Sequence, residues 1–106
     1  MIKKPKTVEE YVELVNQAVY EVEELRMAME YDEDSLGGAA SFLDELERGV
    51  LGLKREMAEG SYRWASGDLP FMGIVENVDD RLLPFKDLLR LINHTHMTGL
   101  EVDEGP

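Results

Sequence analysis

The sequence predicts an all-α fold, an antiparallel bundle of three long helices with the third kinked at a proline. Three observations predict it: apolar residues recur every three or four positions along three long stretches, start and stop signals flank those stretches, and the short connections between them place neighbours antiparallel. At 106 residues the chain fits one domain, residues 1–106, with 1–6 and 100–106 expected to be flexible.

The first helix begins at Val8. Thr7 and Glu10 supply a capping box, in which the hydroxyl and the carboxylate each satisfy an amide that the helix leaves unpaired. Val8, Tyr11, Val12, Val15, Ala18, Val19, Val22, Leu25 and Met29 form one seam, and Glu9, Glu10 and Glu13 suit the positive end of the helix dipole. Leu14, Tyr20 and Met27 lie off the seam. Tyr31 to Ser35, followed by Leu36-Gly37-Gly38, breaks the period and reads as a turn.

The second helix, between Ser35 and Ala58, places Leu36, Ala40, Leu43, Leu46, Val50, Leu53 and Met57 on one seam, and Gly60 marks its end. Gly49 and Gly52 each cost about 1 kcal/mol against alanine inside a helix, which points to a packing reason such as the approach of a backbone or an aromatic ring. Gly60 to Asp68 mixes turn residues with the aromatics Tyr62 and Trp64.

The third stretch, Phe71 to Met97, is the most apolar. Asp68 before Leu69 and Pro70 is its start signal, and Gly99 its stop. Phe71, Ile74, Val75, Val78, Leu82, Phe85, Leu88, Leu89 and Ile92 form a core-facing stripe at about 100° per residue. Pro84 removes one backbone hydrogen bond and clashes with the carbonyl of Asp80, so a kink is expected between Asp79 and Leu83. Met72, Leu83 and Met97 fall on a separate flank, more apolar surface than one partner helix covers. Either this is a central helix flanked by two others of its own chain, or its second flank meets another molecule.

The formal net charge of -12 repels nucleic-acid phosphates and anionic membranes, and excludes both as expected partners. Seven carboxylates between Glu21 and Asp34 face Arg26 alone. Such a run reads as a solvated helix face or as a surface that docks on a basic partner. No cysteine is present, which fits a reducing cytoplasm. The basic Met1 to Lys6 leads into Thr7-Val8-Glu9-Glu10 and not into an apolar core, so it does not read as a signal peptide. The longest apolar runs are four-residue pieces such as Leu82 to Phe85, far below the roughly 20 residues that span a bilayer.

No catalytic motif emerges. His94 and His96 are two apart, so on a helix they point in different directions and are poorly placed to share a metal ion; a histidine in a last helical turn suits the dipole. Asp32, Asp34 and Gly37 resemble the start of a calcium loop, but Leu36 and Leu43 occupy ligand positions. No cofactor is expected, and neither a phosphate-binding loop nor a nucleophile motif is found.

Tyr11 to Val19 with Glu24 to Met27, Gly60 to Arg63, and Leu91 to His96 together resemble a group of small acidic uncharacterised proteobacterial proteins, some labelled as general secretion pathway components. The chain lacks the transmembrane segments of that system's inner-membrane component, so only a bacterial, cytoplasmic setting is implied. The function expected is a protein–protein interaction or self-associating module, a homodimer or a complex with another protein. Its candidate interface is Tyr62, Trp64, Phe71, Met72, Leu83 and Met97, on the strength of the second apolar flank and of the aromatics that dominate interface hot spots. The alternatives are an acidic decoy for the basic site of a nucleic-acid-binding protein and a metal-binding sensor or small enzyme built on His94 and His96.

Overall fold

The computed structural model describes residues 4–31, 39–64 and 67–100. Among these there are four helices and no strand: α1 (Val8–Tyr31), α2 (Ala39–Glu59), α3 (Met72–Asn77) and α4 (Lys86–Thr98). The all-α class is observed, and no helix among the described residues is long and apolar enough to cross a membrane.

The expected cap opens α1. The Glu10 amide donates to Thr7 Oγ1 at 3.1 Å, while the Glu10 carboxylate accepts from the Lys6 amide at 3.0 Å. Pro5 is buried and Lys4 Nζ donates to Thr98 Oγ1 at 2.8 Å, so residues 4–6, expected to be loose, are held against the end of α4. The seam of α1 buries Tyr11, Val15, Ala18 and Val22, with Val12, Val19 and Leu25 half-buried; Val8, expected on the seam, is 59% exposed. Val8 is the first residue of α1 and lines an open groove with Met57 and Trp64.

α2 buries Leu43, Leu46, Val50 and Leu53 against α1. Arg26, late in α1, pairs with Asp44 and Glu47, early in α2, at 2.9 and 3.3 Å. Val12 and Met57 line one groove at the opposite end, so α2 runs back along α1. The ion pair is solvated and stabilises by at most about 1 kcal/mol; the apolar seam holds the hairpin. α2 ends where expected. Gly60 adopts φ 76°, a left-handed conformation that glycine enters without a steric cost, and the Gly60 and Ser61 amides donate to the Met57 and Glu56 carbonyls at 3.3 and 2.9 Å. The turn expected from Tyr31 to Gly38, with Asp32 to Asp34, lies largely outside the described residues.

The third stretch departs from expectation. In place of one helix bent at Pro84 there are two, separated by residues 78–85. α3 stops at Asn77, and Val78 is extended, with ψ 142°. The Asp79 carboxylate accepts from the Arg81 amide at 2.8 Å, and the Leu82 and Leu83 amides donate to the Asp79 carbonyl at 2.9 and 3.1 Å. A side chain that bonds its own following backbone competes with the helix, and Pro84 disfavours helical geometry at Leu83. Together they end the helix where either alone would bend it. The buried Lys86 then ties the interruption to α4, donating to the Val78 carbonyl and pairing with Asp80 at 2.8 Å.

The break also exchanges two leucines. On a continuous helix Leu82 faces the core and Leu83 the flank; in the structure Leu83 is fully buried and Leu82 is 38% exposed. α4 runs back along α1, with Tyr11 reaching the Ile92 carbonyl at 3.3 Å, while Gln17 and Glu21 lie near Phe85 and Leu88. α1, and not the third stretch, therefore carries the main packing on two sides, with α2 and with α4, and α3 rests on α4.

Candidate functional site

The reversal at Gly60 directs the chain back over the start of α1. Tyr62 arrives half-buried beside Tyr11, and Trp64 lies 44% exposed above it. Trp64 stacks on Tyr11 with ring centroids 5.2 Å apart and planes 17° from parallel. Tyr62 meets Trp64 edge-on, at 5.2 Å and 82°. Such arrangements contribute about 0.5–1.5 kcal/mol per pair beyond burial, so the indole is held in place while one side of it stays open. Val8, Val12, Met57 and Gly60 complete an apolar groove of about 230 Å³ under the rings.

A chain of hydrogen bonds braces the groove from below. The Tyr11 and Tyr62 hydroxyls are hydrogen-bonded at 2.9 Å, and Tyr62 Oη lies 2.6 Å from His96 Nδ1. Burial, together with the Tyr62 hydrogen bond, pushes the Tyr11 phenol far above its ordinary value. Burial also raises Tyr62, the hydrogen bond with Tyr11 opposing and nearby Glu56 assisting. Burial lowers His96, with Glu56 opposing. Both phenols thus stay protonated, and burial disfavours the charged imidazole. The arrangement fixes ring orientation, and its chemistry toward an approaching molecule is that of an apolar, aromatic wall.

The candidate interface residues divide. Tyr62 and Trp64 come together in this groove. Phe71, Met72 and Leu83 are 2%, 6% and 0% exposed: the chain's own helices cover them, and the apolar flank expected of Met72, Leu83 and Met97 does not exist as one surface. Met97 is 39% exposed, with its sulfur 3.6 Å from Asn93 Nδ2. Phe71 packs under Gly49, where a β-carbon would stand 3.1 Å from the ring, which is the packing reason expected for that glycine; at Gly52 nothing lies within 4 Å.

Sequence reasoning missed Asn93, whose Oδ1 accepts from the Leu69 amide at 2.7 Å and whose Nδ2 donates to Asp68 at 2.9 Å. Asp68 is therefore held by α4 instead of capping a helix, and α3 starts at Met72 behind Phe71 with no side-chain cap. His94 is exposed and His96 buried, facing different ways as their spacing requires. No cluster of three or more potential metal ligands is found among the described residues.

What fold and site define is a small all-α protein with an aromatic-walled surface groove. No family model, curated protein or solved structure matches the chain.

Proposed function

We propose that the chain is a protein–protein interaction module of a bacterial cytoplasm, and that the Trp64 groove is where an apolar side chain of its partner docks. One observation carries this: Trp64 is 44% exposed although two tyrosines hold it in a defined orientation. An aromatic ring fixed before binding loses little freedom on docking, and tryptophan and tyrosine dominate interface hot spots. The net charge of -12 favours a protein over a nucleic acid or an anionic membrane.

The test is selection of peptides from a random displayed library on the wild-type protein, followed by affinity measurement on Trp64→Ala and Val8→Ser. Peptides with a large apolar anchor are expected, and both variants should bind them at least about tenfold more weakly while keeping wild-type circular dichroism. Selected peptides that bind wild type and both variants alike would show that the groove is not the docking site.

A further inference from the structure

The outer faces of α1 and α2 differ in charge: the first is acidic and the second carries two arginines. On α1, Glu13, Tyr20, Glu24 and Met27 fall within an arc of about 60° at 100° per residue. All four are exposed, Tyr20 by 55% and Met27 by 52%. The one basic residue of α1, Arg26, is drawn away to Asp44 and Glu47. That pairing leaves the α1 face purely acidic and offsets two carboxylates of α2. On α2, Arg48, Leu51 and Arg55 share an arc of similar width, all exposed, Leu51 by 40%; Asp44 falls on the same arc but is engaged by Arg26, and Glu59 lies beside it at the helix end. Neither arginine forms an ion pair among the described residues.

We infer that these faces are the two halves of an interface between copies of this chain, α1 of one protomer lying on α2 of its partner. The apolar centres meet, Tyr20 against Leu51, while the glutamates flank the arginines. α1 and α2 of one chain are antiparallel, so a two-fold axis along the hairpin also sets α1 antiparallel to the partner's α2. Glu24 lies four residues beyond Tyr20 and Arg48 three before Leu51, about 6 and 4.5 Å of helix rise, so apolar and ionic contacts come into register together. Each chain carries both faces, so a two-fold axis makes the contact twice and closes the dimer. Two chains of net charge -12 repel each other, but that repulsion acts at long range and is screened over about 8 Å at physiological salt, whereas the paired side chains touch. The interface shares no residue with the Trp64 groove and stands or falls separately from it.

The experiment is light scattering across a dilution series from about 10 µM to about 1 mM in about 0.15 M salt. It compares wild type, the double variant Glu13→Lys with Glu24→Lys, the double variant Arg48→Glu with Arg55→Glu, and an equimolar mixture of the two. Wild type should approach twice the chain mass, and each double variant should dimerise at least about tenfold more weakly because both contacts become like-charged. The mixture should regain the dimer, since each reversed face then meets its complement and the summed charge equals that of two wild-type chains. A monomeric wild type, double variants that dimerise like wild type, or a mixture that stays monomeric would each overturn the inference. So would dimerisation abolished by Trp64→Ala, which would assign self-association to the groove.

Discussion

Tyr62 to Trp64 and Phe71 to Leu83 are both apolar stretches beside a turn, and they end in opposite surroundings. In the first, the chain runs without helix over the start of α1 and covers its aromatic rings from one side only. In the second, the chain folds into a short helix and then a turn, which brings Phe71, Met72 and Leu83 beneath the other helices. Apolar character alone gives both stretches the look of an interface. What separates them is whether the chain's own elements reach the second side of each residue.

The largest effect that tests this contrast is at Leu83. Leu83→Ala should lower unfolding free energy by about 2–5 kcal/mol, read from urea denaturation, whereas a surface interface residue would cost under about 0.5 kcal/mol. A small loss would return Leu83 to the surface.

The two α2 glycines sharpen the same comparison at lower amplitude. Gly52→Ala gains helix propensity with open space around it and should stabilise by about 0.5–1 kcal/mol. At Gly49 the new methyl would press on both the ring and the β-carbon of buried Phe71, at 3.1 and 3.3 Å, and overpacking costs about 1–3 kcal/mol. Gly49→Ala should therefore not stabilise, and equal gains at both positions would show that Phe71 does not pack there.

The smallest effect concerns the brace under the groove. Burial holds His96 below the ordinary histidine value, so as pH falls through about 6.5 the unfolded chain takes up the proton first. Stability should decrease with acidification from that point until the folded imidazole is charged as well. Urea midpoints of wild type and His96→Gln at about pH 7.5 and 5.5 check the sign. If the variant loses as much stability on acidification as wild type, the titration lies elsewhere.

Much of the hairpin was legible in the sequence because its signals are local. The Thr7 and Glu10 cap, the Tyr11 to Val22 seam and the Gly60 stop depend on residues within one or two helical turns. The third stretch was not, because periodicity continues through Pro84 while the backbone does not. Asp79 bonding its own turn, and Lys86 bonding back to Val78, are choices among competing partners that spacing does not reveal. Once the helix broke, the register changed, so Leu82 and Leu83 exchanged places. Of the site, Tyr62 and Trp64 were visible as residue types. Their assembly with Tyr11 and His96 joins residues as many as 85 positions apart in the chain and needed the fold.

The measurement that bears most directly on the open groove is acrylamide quenching of Trp64, the only tryptophan, in the free protein and with a library-selected peptide bound. The half-exposed indole should be quenched in the free protein to an extent between that of a buried residue and that of the urea-unfolded chain, and saturating peptide should shield it. A tryptophan already shielded in the free protein, or quenching unchanged by bound peptide, would contradict a docking site at Trp64.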